Sequence, residues 1–172
     1  MPGKNDARIE YKYDYKGRRI EKKVFSGTTG NWALVKHLKY VYAGYQQIEV
    51  LDGANSDVVL KKRIWGNNKL IADIHGLNTY YAFGNANKNI SEYIDSSGNI
   101  KAHYEYSPFG QIINQSGTMQ DDFDFRFSNE IFDNETGLVY YNYRYYSPEL
   151  GRWLRRDPIE ENDAHNLYIM LN

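Results

Sequence analysis

Tyrosine recurs at every second position in this chain: Tyr11, Tyr13 and Tyr15; Tyr40 and Tyr42; Tyr104 and Tyr106; Tyr141, Tyr143 and Tyr145. A period of two puts each set on one face of an extended strand, whereas a helix would turn successive members to different sides. The adjacent pairs Tyr80-Tyr81, Tyr140-Tyr141 and Tyr145-Tyr146 supply a ring to both faces. Tyrosine suits a half-buried sheet because its ring is apolar and its tip can stay wet. With 17 Tyr and aromatics at 16%, the chain has an aromatic content that a disordered polymer lacks. The rings are expected to pack across strands rather than to stack a ligand, since basic residues do not line the same faces consistently.

Turn chemistry separates the strand-like runs. Asp14-Tyr-Lys-Gly17, Asp52-Gly53, Gly66-Asn-Asn68, Asp95-Ser-Ser-Gly98-Asn99, Ser107-Pro108-Phe-Gly110, Asp133-Asn-Glu-Thr-Gly137 and Ser147-Pro148-Glu-Leu-Gly151 each supply a residue that tolerates positive φ or a proline that presets it. Between them the spacing predicts strands over 8–15, 18–25, 36–43, 46–51, 57–65, 69–74, 78–83, 89–95, 99–106, 111–114, 123–127 and 138–146. Strands at such short intervals imply an all-β, antiparallel architecture. One short helical turn is predicted near the C-terminus, within 164–171.

A unit also repeats. In Tyr13-Asp14-Tyr-Lys-Gly17-Arg18 a Tyr ends a strand, Asp-x-x-Gly turns the chain, and a basic residue opens the next strand. Tyr93-Ile-Asp95-Ser-Ser-Gly98-Asn99 restates the unit, Tyr104-Glu-Tyr106-Ser-Pro-Phe-Gly110 varies it, and Tyr40-Val-Tyr42-Ala-Gly44 is degenerate. Irregular β repeats of a few tens of residues suggest a spiral strip in which each unit contacts its neighbours.

Composition narrows the function classes. Across 172 residues, 21 Lys and Arg face 22 Asp and Glu, for a net charge of -1. That balance speaks against a generic polyanion binder and against a polybasic membrane anchor. Cysteine is absent, which excludes disulfides, thiolate metal sites and a Cys nucleophile. The mean hydropathy is -0.73, and no run approaches the roughly 18 apolar residues of a membrane span. Ser26-Gly-Thr-Thr-Gly30 reads as a loop without the Lys-Ser/Thr pair of a phosphate cradle. No cofactor is expected. The start Met1-Pro-Gly-Lys-Asn-Asp lacks an apolar secretory region. The protein is expected in the cytoplasm if Met1 is its native start, and exported or at the cell surface if it is a piece of a longer chain.

The Tyr-Asp-x-x-Gly-Arg unit resembles those of RHS/YD-repeat proteins, and the stretch 89–172 resembles the RHS repeat-associated core. The matching blocks occur in order: Ile100-Lys-Ala-His-Tyr104-Glu-Tyr106-Ser-Pro108-Phe109-Gly110, Phe127-Ser-Asn-Glu130, Asp133-Asn-Glu-Thr136-Gly137-Leu138-Val-Tyr140-Tyr141, Tyr143-Arg144-Tyr145-Tyr146-Ser147-Pro148-Glu-Leu150-Gly151-Arg152-Trp153, Asp157-Pro158-Ile159 and Asn166-Leu167-Tyr168. Residues 1–88 match only as degenerate repeats. The resemblance implies a long β-strip wound into a hollow shell, closed near its C-terminal end by the core, with a variable toxin domain following and enclosed. Its implied partners are the rest of the shell, a fused or neighbouring toxin, and an export apparatus.

In many such relatives the core cuts the chain by aspartyl-type chemistry, using an Arg and two Asp residues. Carried over by motif, the Arg is Arg144 and the first Asp is Asp157. Peptide hydrolysis needs one carboxylate as base and a second carboxyl as acid, with split pKa values. The second Asp block is expected beyond Asn166-Leu167-Tyr168, and the chain stops at Asn172. Glu160 also stands where the family has Gly after Asp157-Pro158-Ile159. The expectation is therefore no self-cleavage, with Arg144 and Asp157 as a structural ion pair.

Other clusters read as structural. Asp122 and Asp124 are expected on one strand face, and Asp133–Gly137 as a surface turn without the ligand set of a Ca²⁺ loop. His37, His75, His103 and His165 lack metal-ligand spacing. Arg152, Arg155 and Arg156 are expected to form salt bridges with Glu149, Asp157, Glu160 and Glu161 rather than to bind nucleic acid. Asn89-Ile-Ser91, Asn114-Gln-Ser116 and Asn134-Glu-Thr136 match a glycosylation pattern that carries little weight without secretion. Gly17, Gly98, Pro108, Gly110, Gly137, Pro148, Gly151 and Pro158 are the expected turn-formers.

Three functional readings follow. The first is a structural shell segment for toxin encapsulation and delivery. Its rivals are an autoprocessing protease completed by another segment and a surface-binding module using exposed Tyr faces. A truncated copy with sticky strip edges is a further possibility.

Overall fold

The computed structural model describes residues 6–156 and Tyr168. Ten strands follow one another as an antiparallel meander in sequence order: β1 (Asp6–Tyr13), β2 (Arg19–Thr28), β3 (Asn31–Ala43), β4 (Gln46–Asp52), β5 (Val58–Gly66), β6 (Lys69–His75), β7 (Asn78–Gly84), β8 (Ile90–Asp95), β9 (Ile100–Tyr106) and β10 (Ile112–Ser116). A second, four-stranded sheet contains β11 (Ile131–Asp133), β12 (Leu138–Tyr141), β13 (Arg144–Ser147) and β14 (Arg152–Trp153). The all-β antiparallel strip read from the Tyr spacing is the fold observed.

The repeat unit has a single physical form. Gly17 N–H donates to the Asp14 carbonyl and Asp14 N–H to the Arg18 carbonyl, both at 3.0 Å. The Asp14 carboxylate meanwhile accepts from the Lys16 and Arg18 amides at 2.9 and 3.0 Å. Asp95 repeats this with Ser97, Gly98 and Asn99. Asn85 repeats it with Asn87, Lys88 and Asn89, a unit the sequence reading passed over. Ser107 makes a reduced version with Gly110 and Gln111. A short acceptor side chain thus holds the amides that the reversal leaves unpaired. The last turn residue takes φ of 73° at Gly17, 85° at Gly98, 83° at Gly110 and 65° at Lys88.

The second sheet lies on one face of the strip, and the core fills the space between them. Leu70, Tyr80, Ile90, Tyr93, Ala102 and Tyr104 from the strip meet Phe123, Phe125, Ile131 and Tyr140. Tyr93 and Phe123 stack with centroids 3.8 Å apart and planes 3° off parallel. Each such buried ring contributes roughly 1.5–3 kcal/mol. A smaller cluster of Phe127, Val139, Tyr146 and Trp153 closes the second sheet.

Several expectations are corrected. The run 138–146 is a hairpin, not one strand. It reverses at Asn142 (φ 55°), so Tyr141, Tyr143 and Tyr145 do not share a face. Residues 123–127 are extended but make only an isolated bridge, Phe125 to Ile131, before one 3-10 turn at Phe127–Asn129. Asp122 and Asp124 therefore do not lie on a strand. Ser26 to Thr28 belong to β2, leaving Thr29-Gly30 as the hairpin tip. The C-terminal helical turn within 164–171 falls outside the described residues apart from Tyr168, which lies in a turn.

Candidate functional site

The face of the strip that meets the second sheet carries buried charge. Arg19 on β2 is 1% exposed, and its Nη1 donates to Asp133 Oδ2 at 2.5 Å. Lys22 Nζ donates to Asp133 Oδ1 at 2.7 Å and to Glu135 Oε2 at 2.6 Å, and Lys36 Nζ reaches Glu135 Oε1 at 2.9 Å. The turn Asp133–Gly137, expected at the surface, thus keeps Asn134, Thr136 and Gly137 exposed but buries Asp133. Farther along the strip, Arg63 lies 3.5 Å from Asp73, and its guanidinium donates to Asp124 and Gln47. Lys61 Nζ reaches the same Asp124 oxygen, Oδ2, at 3.1 Å.

Electrostatics follow from these contacts. Burial pushes the Asp124 carboxyl up, but Lys61 and Arg63 outweigh it and hold the group below the usual carboxylate range. Glu135 behaves alike: burial opposes its charge, Lys22 and Lys36 prevail, and it sits at about 2. The phenols of Tyr11, Tyr40 and Tyr145 are pushed up mainly by burial and stay protonated. Asp133 accepts from Arg19 on one oxygen and Lys22 on the other, and Asp124 from Lys61 and Arg63 on Oδ2, so these carboxylates tie the segment from 123 onward to the strip. A pocket of about 280 Å³ lies among Arg19, Lys22, Lys61, Asp124, Asp133 and Glu135.

The second sheet also docks onto successive turns along one edge of the strip. At the β1–β2 turn, Tyr140 Oη accepts from Arg19 N–H at 2.8 Å and donates to the Gly17 carbonyl at 3.0 Å. At the β3–β4 turn, the Tyr143 and Tyr45 hydroxyls meet. At the β5–β6 turn, Asn129 Oδ1 accepts from Leu70 N–H at 3.0 Å. At the β7–β8 turn, Asn89 Oδ1 accepts from Ser128 N–H at 2.8 Å and Ile90 N–H donates to the Arg126 carbonyl at 2.9 Å. At the β9–β10 turn, Tyr146 Oη donates to the Phe109 carbonyl at 2.8 Å. A Cβ added at Gly110 would stand 2.5 Å from the Phe127 ring, so close approach as well as φ requires glycine there.

The residues implied by family resemblance fall as follows. Arg144 Cζ lies 4.0 Å from the Trp153 ring centroid, and the side chain lines a pocket with Tyr13, Gly17, Tyr143 and Tyr145. Asp157 and Pro158 lie outside the described residues, so their pairing with Arg144 does too. Gly137 and Gly151 have φ of 71° and 63°; Pro108 is exposed and Pro148 buried. Of the acids expected around Arg152, Arg155 and Arg156, Asp157, Glu160 and Glu161 are outside the described residues. His37 pairs with Glu21 at 2.6 Å, His75 lies 3.3 Å from Asp73, and His103 lies between Glu92 and Glu105; His165 is not described. Among the described residues, no group of three His, Asp or Glu could hold a metal, and no helix is long and apolar enough to cross a membrane.

Sequence reasoning missed the buried charges Arg19, Lys22, Arg63, Asp73 and Asp133 and the half-buried Asp124 that meets Arg63. One signal was available. Arg63 stands two residues from Trp65, on the same face of β5 as an indole bound for the interior.

The comparisons agree with this geometry. A tRNA3(Ser)-specific nuclease WapA of Bacillus spizizenii is 30% identical over 168 residues, spanning 96% of this chain and 7% of the relative. Salivary gland surface protein 1 of Aedes aegypti is 29% identical over 171 residues, spanning 89% and 5%. The crystal structure of TcdB2-TccC3-Cdc42 superposes with a TM-score of 0.75 at 26% identity, covering 99% of this chain and 9% of that one. The chain thus spans less than a tenth of these relatives. The model of the teneurin YD-shell family matches residues 2–168, and the chain belongs to that family as a segment of a YD shell.

Proposed function

We propose that this chain is a wall-and-closure segment of a shell that encloses a toxin for delivery. The strip β1–β10 supplies wall, and residues 123–153 supply the piece that seals one edge of it. The observation that carries this reading is the docking of that piece onto each turn of the edge in order, from Gly17 to Phe109. The repeat-like stretch 1–88 and the core-like stretch 89–172 work as one body in this reading, since β8–β10 continue the sheet begun by β1–β7. The partners are the rest of the shell, an enclosed toxin and an export apparatus. The names of relatives, a tRNA nuclease and a toxin subunit, support that context. In this reading Arg144, which stacks on Trp153, helps to hold the second sheet together.

The test is a chimera in which this chain replaces the corresponding stretch of a WapA-type shell. The enclosed cargo should stay protease-resistant with the wild-type segment and become digestible with Arg19→Met. Cargo digested equally in both would overturn the reading.

A further inference from the structure

The chain has no cysteine, so no disulfide fastens the second sheet to the strip. Its tyrosines offer another covalent chemistry. Several rings between the sheets are buried, with their hydroxyls spent on backbone carbonyls: Tyr93 on Phe125, Tyr104 on Gln120, Tyr140 on Gly17 and Tyr146 on Phe109. Tyr45 and Tyr143 differ. They are 48% and 59% exposed, and among the described residues they are the one pair of tyrosines in ring contact with both members exposed.

The fold brings these two rings together from turns 98 positions apart in sequence. Tyr45 follows Gly44 (φ 62°) at the β3–β4 turn, and Tyr143 follows Asn142 (φ 55°) at the β12–β13 turn. The β1–β2 turn backs the Tyr143 ring, since a Cβ added at Gly17 would stand 3.4 Å from its Cδ1. The ring centroids lie 5.8 Å apart with planes at 54°, and the hydroxyls touch. A phenol couples through the Cε carbons beside its hydroxyl, so the contact sets coupling positions of both rings next to each other.

We propose that Tyr45 and Tyr143 are a site of oxidative cross-linking, where a dityrosine bond fastens the second sheet to the strip. The oxidant is hydrogen peroxide acting through a haem peroxidase. Each phenol gives up one electron and its hydroxyl proton, and the two phenoxyl radicals join through a new bond between a Tyr45 Cε and a Tyr143 Cε. The hydrogen on each joined carbon then moves as a proton to the phenolic oxygen, which restores both aromatic rings and both hydroxyls. The two electrons and two protons released reduce one peroxide to two waters. Fixed proximity favours coupling within one chain over coupling between chains. With cysteine absent, no thiol competes for the oxidant. The bond closes a loop whose ends stand 98 positions apart, and it restricts the unfolded chain as a long-range disulfide does. The cross-link needs no enclosed toxin.

The test treats the full chain, in dilute solution, with hydrogen peroxide and a haem peroxidase, then reads intact mass and maps the linked peptides by tandem mass spectrometry. The expected product is a monomer lighter by two hydrogen atoms, fluorescent as dityrosine, with Tyr45 joined to Tyr143. Its yield should fall about tenfold or more in Tyr143→Phe and in Tyr45→Phe. Both variants keep an exposed ring and lose only a hydroxyl, so they fold. The urea midpoint of the cross-linked monomer should lie above that of the untreated chain. The hydroxyls of Tyr13 and Tyr145 also meet, at 2.7 Å, and supply the internal comparison. A link that maps to that pair instead, coupling only between chains or not at all, an undiminished yield in either variant, or an unmoved urea midpoint would overturn the proposal.

Discussion

Arg19 of β2 and Asp133 of β11 meet at 2.5 Å with their side chains 1% and 2% exposed, although they stand 114 positions apart in the chain. The pair joins the first hairpin of the strip to the second sheet, and Lys22 holds the other oxygen of the same carboxylate. Removing Arg19 takes one of two cations from a buried carboxylate and leaves Lys22 to hold it alone. Arg19→Met should lower the unfolding free energy by about 3–5 kcal/mol, read from the midpoint of a urea titration. A change near zero would mean that the sheets are held by their apolar contacts alone.

Glycines at the turns should differ sharply in tolerance. Gly110 has φ 83° and the Phe127 ring 2.5 Å from a would-be Cβ, whereas Gly137 has φ 71° and nothing within 4 Å. Gly137→Ala should cost only about 1 kcal/mol of left-handed strain. Gly110→Ala should cost more than that by at least about 1–2 kcal/mol, because Phe127 must leave its place. Equal melting temperatures for the two variants would contradict the docking of the 3-10 turn on the β9–β10 turn.

Glu130 sets the alkaline side of stability. Its folded pKa of about 8 lies above its ordinary value of 4.5 because burial penalises the charged form. The folded state therefore binds the extra proton. The contribution is complete below about pH 4.5 and is lost as pH rises through about 8. Glu130→Gln should remove that slope and be more stable than wild type at pH 8. Parallel stability curves for the two proteins between these limits would count against the buried placement.

Glu135 acts in the opposite sense. Burial works against its charge, but Lys22 and Lys36 hold it at about 2, below its ordinary 4.5. Its contribution is present above the ordinary value and disappears as pH falls through about 2. Acid unfolding should begin at higher pH in Lys22→Met, where the principal partner is gone.

The account also predicts that the chain stays whole. Intact mass after purification and prolonged incubation should correspond to 20.2 kDa. A discrete internal cut that Arg144→Ala abolishes would restore the protease reading.

Much of the strip was legible because its strands obey a period of two and end at Asp-x-x-Gly chemistry, as at Tyr13-Asp14 and Tyr93-Ile-Asp95. The second sheet was not. No Gly or Pro marks the reversal at Asn142, so two short strands read as one. Phe123, Phe125 and Phe127 alternate like a strand, yet they are an extended segment whose rings are anchored in the core. The charged network was hidden for a different reason. Arg19, Lys22 and Arg63 look like solvated strand charges until Asp133 and Asp124, far away in sequence, are placed against them.

The central claim is that residues 123–153 seal the turn edge of the strip, and native-state hydrogen exchange tests it most directly. The amides of Arg19, Leu70 and Ile90 point across that edge to Tyr140, Asn129 and Arg126. They should exchange as slowly as the core amides of Tyr93 and Ala102, and all three should speed up together in Arg19→Met. Fast exchange at these amides in the wild-type chain, with the strip core still protected, would show that the second sheet does not close the edge.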